Sequence, residues 1–261
     1  MTESIIIETS DDRRLAIVKI NRPQRRNACD FEAWTRLRDI FRELAHEKAL
    51  RLAILTGEGG HFCAGDDIIA FRAAMNDPEE AETYRARIQE CYAAVQDLPV
   101  PVIAALSGVC VGGGCSLALC CDFRVGDASA KVGVPVAKLG IVYPTIQLIR
   151  LSHLIGISET RRWLYTGDMV DAEQARQAGF LDLLTTGDVL KAAQEFGAGM
   201  MDSAPLSIAG SKMQLNAIAA NRLQEREAQI AELSDKANNS EDYKNAAAAF
   251  SRKRKPTFQG R

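Results

Sequence analysis

Between Leu15 and Thr56 the chain runs strand, helix, strand, and that order limits what can be built from it. Leu15 to Ile20, L-A-I-V-K-I, is apolar and β-branched, and N-R-P then breaks it. From Asp30 a helix is predicted, because Asp30 is a good N-cap and Phe31, Trp34, Leu37, Phe41 and Leu44 recur at helical spacing. Arg51 to Thr56, R-L-A-I-L-T, reads as a buried strand ended by G-E-G-G. A strand, helix, strand order of this kind closes as a right-handed crossover, which makes the fold class α/β.

The pattern continues. Asp77-Pro78 is an N-cap followed by proline at the first helical position, and Tyr84, Ile88, Cys91, Tyr92 and Val95 mark one helix face up to a stop near Leu98-Pro99. Val102 to Leu106, V-I-A-A-L, is a third buried strand. The residues Gly112 to Gly114 then suit a strand turning into a helix, with Ser116 to Cys121 as its first buried stretch. Asp122 to Val125 resembles a further short strand, and Asp171 to Gly179 has the N-cap Asp, third-position Gln and closing Gly of a compact capped helix. After about Ser203 strand signals fade, and Leu206 to Ala219, Arg222 to Leu233 and Glu241 to Lys253 read as helices. The expected division is therefore a core over 1–200 and a helical oligomerisation region over 201–261.

Composition excludes several classes of function. With 32 Lys and Arg against 34 Asp and Glu, the formal charge of -2 offers no bulk attraction to nucleic acid or to an anionic membrane. The three histidines, His46, His61 and His153, are not at ligand spacing, so no metal site is expected. Seven cysteines, several within apolar runs, read as small core residues in a reducing compartment. The acidic N-terminus lacks a basic leader and no apolar run is long enough to span a bilayer, which makes the cytoplasm the expected location.

The triple glycine has chemical uses. Glycine lets backbone N–H groups approach closely, and a helix start offers unpaired donors at the positive end of its dipole. No Lys follows in the Walker manner, G-x-G-x-x-G is not matched, and Ser116 is not in G-x-S-x-G. Two readings remain: tight packing of helix against strand, or an oxyanion hole in which the Gly113 N–H meets a developing negative oxygen. A second glycine loop, F-C-A-G-D-D-I at Phe62 to Ile68, favours the latter, since two donors from separate loops can grip one oxygen.

With that loop the chain resembles the crotonase, or enoyl-CoA hydratase/isomerase, superfamily. The matching pieces are I-N-R-P-Q-R-R-N-A at Ile20 to Ala28, F-C-A-G-D-D-I, the run from Val100 to Cys115, C-D-F-R-V, L-Y-T-G-D, A-x-x-A-x-x-A-G-F and A-F-S-R-K-R-K-P-x-F, in order along nearly the whole chain. The resemblance implies a crotonase (ClpP-like) spiral of ββα repeats with a C-terminal helical trimerisation region, assembled as a trimer or hexamer. It implies an acyl-CoA thioester as substrate, with coenzyme A part of that substrate and no bound cofactor. By motif, the oxyanion hole would come from the N–H of Asp66 and of Gly113. Ala64, Asp67 and Ile68 would bend around the CoA adenine and pantetheine, Arg26 would approach the CoA phosphates, Ala28 would be a further CoA-binding residue, and Phe250 and Lys253 would close over the nucleotide.

The acids that the resemblance leads one to expect are absent. Hydrating members carry one glutamate immediately after G-G-G-C, where this chain has Ser116, and another after the proline of V-G-V-P-V, where it has Val136. The aspartate that isomerases and dehalogenases use further along corresponds to Pro144. General acid/base catalysis typically contributes about 10²–10⁴-fold per group, so standard two-glutamate hydration is not expected. Tyr143 stands where a decarboxylase of the superfamily has a tyrosine, and loss of CO2 from a malonyl-type thioester needs no base. A catalytically silent acyl-CoA-binding subunit is the third alternative. Asp66 either turns its carboxylate away from the charge that its backbone would help create, the preferred reading, or serves as a displaced acid/base. Asp67 fits a helix cap and His61 a surface loop, while Glu90 is an example of an acid that the variable stretch 69–96 would offer in place of the missing glutamates.

Overall fold

A computed structural model describes residues 3–261. Among the described residues, nine strands form two sheets. The larger contains β1 (Ile5–Thr9), β2 (Leu15–Ile20), β3 (Leu52–Gly57), β4 (Val102–Leu106), β6 (Phe123–Asp127) and β9 (Leu183–Thr185) in that spatial order. Only β1 runs antiparallel to its neighbour. The smaller sheet joins β5 (Val109–Val111), β7 (Lys131–Gly133) and β8 (Val170–Asp171).

The connections repeat. Strand β4 lies in the large sheet, β5 in the small one, and helix α4 (Gly113–Ala118) follows; β6, β7 and α5 (Val136–Leu139) repeat the order one layer on. The preceding layer runs from β3 to Cys63, which bridges Cys110 of β5 in parallel, and on to helix α2 (Ile68–Ala74). The chain is thus a spiral of ββα units, as expected.

Alternation on the strands separates two cores. On β3, Ala53 and Leu55 face the main core with Trp34, Leu37 and Phe41 of α1 (Phe31–Leu44) and with Tyr84, Cys91 and Tyr92 of α3 (Pro78–Gln96). Leu52 and Ile54 face the other way, against Ala192 and Ala193 of α9 (Val189–Met201). A Cβ on Gly197 would lie 2.4 Å from a Leu52 methyl, so this glycine sets how closely α9 approaches the sheet. All seven cysteines are unpaired and buried.

Asp30, Asp77 and Asp171 cap their helices as predicted, with a full capping box at α8 (Ala172–Gln177). Between α5 and β8 lie α6 (Thr145–Ile155) and α7 (Ile157–Thr166). The last segment is helical, comprising α10 (Pro205–Ala219), α11 (Leu223–Asn238) and α12 (Glu241–Ser251). Buried Lys212 anchors α10, its Nζ 2.7 Å from Asp122 Oδ2 and 3.0 Å from the Val100 carbonyl. No helix among the described residues is long and apolar enough to cross a membrane.

Candidate functional site

Two glycines bring two loops into contact. The turn after β5 has φ +56 at Gly112, and α4 begins one residue later. Its first helical bond runs from Ser116 N–H to the Gly112 carbonyl, at 3.0 Å, which leaves the Gly113, Gly114 and Cys115 N–H groups without intrahelical partners. The helix thus starts at Gly113, earlier than the buried stretch predicted from Ser116. Alongside, Cys63 exchanges bonds with Val109 and Val111, and the chain turns at Gly65 with φ +91. A Cβ on Gly65 would stand 2.8 Å from Gly113 N and 2.9 Å from the Val111 carbonyl, so no other residue fits.

This approach brings the Gly65–Asp66 segment against the start of α4. The bonds on either side of Asp66, Cys29 N–H to the Gly65 carbonyl and Asp67 N–H to the Cys29 carbonyl, are both 2.8 Å long. Neither the Asp66 nor the Gly113 N–H has a backbone partner among the described residues.

The Asp66 side chain corrects the preferred sequence reading, because it points inward. Its Oδ1 accepts a bond from Trp34 Nε1 at 3.0 Å, and its Oδ2 lies 3.0 Å from where a Cβ on Gly113 would stand. Trp34, fully buried in α1, supplies a fixed polar group that draws the carboxyl inside. Burial pushes its pKa up to about 6, and the Trp34 N–H and its own backbone N–H only partly counter that rise. Tyr92 joins the same space. Its hydroxyl donates to the Gly113 carbonyl at 3.0 Å and lies 3.3 Å from the same point above Gly113.

Ser116 and Tyr143 meet. Both are buried, and their hydroxyl oxygens are 2.8 Å apart. Burial holds the Tyr143 phenol well above its ordinary range. Val136 opens α5 half-buried against the main core, whereas Pro144 is exposed at the start of α6.

The residues carried over for CoA fall into two groups. Arg26 is exposed in the left-handed region, at φ +51, and its carbonyl accepts the Ala64 N–H at 3.0 Å, so Arg26 and the 64–68 loop are neighbours. Ala28 is buried, Ile68 is exposed, and Asp67 caps α2 through the Ile69 and Ala70 N–H groups while pairing with Arg22 at 3.3 Å. Phe250 and Lys253 are exposed at the end of α12, and no hydrogen bond or ion pair among the described residues joins them to that loop. His61 is no free surface group: it is half-buried, and its Nδ1 accepts the Val109 N–H at 3.2 Å. Glu90 pairs with Arg38 at 2.6 Å and with Arg87 at 3.4 Å, and the Arg38 guanidinium holds its carboxyl below the usual range.

Trp34 and Tyr92 were legible only as core residues. What marks them in the structure is a polar end on each buried ring, aimed at one point.

The sequence pattern of the enoyl-CoA hydratase/isomerase family matches residues 11–261. The chain belongs to this family. It is 31% identical to the crotonyl-CoA hydratase of Syntrophomonas wolfei over 98% of both chains, and 30% identical to the 2,3-dehydroadipyl-CoA hydratase of Escherichia coli over 100% of both. Among solved structures, the enoyl-CoA hydratase from Bacillus anthracis superposes with a TM-score of 0.87 at 28% identity, covering 99% of this chain and 100% of that one. As an enoyl-CoA hydratase/isomerase family member, the chain has these two N–H groups, free of backbone partners among the described residues, and its inward carboxyl at the contact between two successive ββα layers.

Proposed function

We propose that the protein binds an acyl-CoA thioester and holds the thioester oxygen between the N–H groups of Asp66 and Gly113, so that its reaction passes through an enolate. The observation that carries this reading is the pair of N–H groups from separate loops, free of backbone partners and held together by Gly65. Fixed donors at the oxygen where charge develops stabilise that charge without reorganising, often by about 3–4 kcal/mol per donor. Arg26, Ala64 and Ile68 would take the CoA portion, with Phe250 and Lys253 closing over it, and the exposed Leu215 and Ile218 of α10 would serve self-association as a trimer or hexamer.

Standard two-glutamate hydration does not suit this site, because Ser116 and Tyr143 are hydroxyls bonded to each other and Val136 has no titratable group. Decarboxylation of a malonyl-type thioester is also disfavoured. Tyr143 is engaged with Ser116, and a substrate carboxylate would enter beside that of Asp66, where like charges repel.

The test is spectroscopic. A conjugated enoyl-CoA whose carbonyl is polarised by two donors shifts its absorbance to longer wavelength on binding, and that red shift is the expected result. Binding without a shift, or no binding, overturns the reading. Crotonyl-CoA is expected to be hydrated slowly if at all, followed as loss of the conjugated absorbance.

A further inference from the structure

Arg150 of α6 has no acidic partner. Among the described residues no carboxylate stands within ion-pair distance of its guanidinium, and its one side-chain hydrogen bond runs from Nη1 to the sulfur of Cys120, at 3.2 Å. That sulfur is a poor acceptor. It belongs to a thiol that donates to the Ser116 carbonyl at 3.1 Å, and burial keeps it neutral by raising it above its ordinary range. A second donor converges on it, the Gln147 amide nitrogen, at 3.8 Å. Gln147 is fully buried, and its Oε1 has no partner at all. A half-turn of the amide exchanges its two ends, placing an NH2 where Oε1 now stands alone and letting Oε1 accept the Cys120 S–H.

These groups lie along a path from the site. Ser116 bonds Tyr143, and four residues further along each segment Cys120 meets Gln147, so the α4 and α6 segments run side by side from Gly113 toward Arg150. A cavity of about 730 Å³ between α3, α6, α10 and α11 is lined by Tyr92, Ile146, Arg150 and Met213. Tyr92 also reaches the Gly113 carbonyl, so it borders both the cavity and the space above Gly113. Two other cations of that wall, Lys212 and Arg222, are paired with Asp122 and Glu225, and its acids, Asp97 and Glu232, form no ion pair with Arg150.

We propose that Arg150 and Gln147 form a carboxylate subsite for the far end of the acyl group, so that the substrate is the mono-CoA thioester of a dicarboxylic acid. Resting on the thioester reading given above, this assignment names the acyl class. The terminal carboxylate takes the guanidinium bonds that a neutral thiol now receives, together with an N–H of Gln147. The methylenes between the two ends lie against Tyr92, Ile146 and Met213. Cys120, where the guanidinium is held, is about one helical turn, or about 6 Å, beyond Ser116. That span suits a diacid of middle length, such as suberic acid. It also keeps the terminal charge away from Asp66, which a malonyl carboxylate would crowd.

The experiment titrates suberyl-CoA, its terminal methyl ester, octanoyl-CoA and free CoA into the protein by calorimetry. The wild type is expected to bind suberyl-CoA about 10–100-fold more tightly than the ester or octanoyl-CoA. Arg150→Gln is expected to bring the three thioesters together and to leave the affinity for free CoA unchanged. Equal binding of all three by the wild type overturns the subsite and leaves the thioester reading intact, and so does a preference that survives in Arg150→Gln. Thioesters that bind no better than free CoA overturn the thioester reading and the subsite with it. Should Arg150→Gln fail to fold, Gln147→Leu decides: it is expected to weaken suberyl-CoA about tenfold and to spare the ester, and an unchanged preference sinks the proposal.

Discussion

Trp34 Nε1 donates to Asp66 Oδ1 at 3.0 Å, so a residue of the first long helix sets the direction of a carboxyl thirty-two positions away, beside the glycine that begins α4. The bond stabilises the ionised form. Replacing Trp34 with Phe removes it while keeping most of the apolar volume, so the Asp66 titration is expected to rise. A hydrogen bond to a charged group is worth about 1.5–3 kcal/mol, or roughly one to two pH units. The check is the acid limb of deuterium uptake at the α-carbon of a bound acyl-CoA, followed against pH. A limb that stays in place means that the tryptophan only packs.

Asp66 also weighs on stability. Its folded pKa of about 6 exceeds the ordinary value of 3.8, so the folded state binds the proton more tightly than the unfolded one. The penalty is absent below pH 4, grows through the interval between the two values, and is complete above pH 6. It amounts to roughly 3 kcal/mol at most. Asp66→Asn is therefore expected to raise the unfolding midpoint at pH 8 and to change it little at pH 4, as read by urea denaturation at the two values.

Gly65 and Gly113 predict opposite failures. Gly65→Ala drives a Cβ to 2.8 Å from the Gly113 nitrogen and 2.9 Å from the Val111 carbonyl, at φ +91, so the loop must move and both donors separate. Loss of the red shift, with lowered stability, is expected. Gly113→Ala meets the Asp66 carboxyl oxygen at 3.0 Å, a side-chain atom that can swing away. The fold is expected to survive while α-proton exchange drops, measured by circular dichroism beside deuterium uptake.

Tyr143→Phe leaves the buried Ser116 hydroxyl without its partner. The expected cost is about 1–3 kcal/mol of stability. α-Proton exchange is expected to change less than about tenfold, since the Tyr143 hydroxyl is engaged with Ser116. A larger drop would place Tyr143 in the mechanism.

Lys212→Met leaves the Asp122 carboxylate unpaired beneath α10. Breaking a buried pair from one side costs about 3–5 kcal/mol. Adding Asp122→Asn is expected to recover part of that loss, measured by a double-mutant cycle in urea.

Much of the fold was legible because its signals are local. Asp30, Asp77 and Asp171 cap helices by bonds spanning two or three residues, and β2, β3 and β4 are runs of five or six apolar residues. The strands β5, β7, β8 and β9 span only two or three residues, too few to show alternation, and β1 lies in a stretch read only as an acidic N-terminus despite its I-I-I core. Helix α9 went unread because its partner is the far face of the sheet. In the site, the glycines announced the backbone donors. The direction of the Asp66 carboxyl and the hydroxyls of Tyr92 and Tyr143 depend on contacts between residues far apart in sequence, which no local pattern records.

The burial of every cysteine makes the protein its own reporter of opening. A thiol reagent in solution finds little to modify on the closed molecule, since all seven cysteines are buried; the bond with the Cys63 thiol, with burial, raises Cys29 well above its ordinary range, and burial raises Cys91 and Cys110. Labelling therefore counts excursions from the native state. Cys29 and Cys63 would register loosening of the loop that carries Asp66, and Cys120 and Cys121 the detachment of the C-terminal helices from the edge where Lys212 holds them.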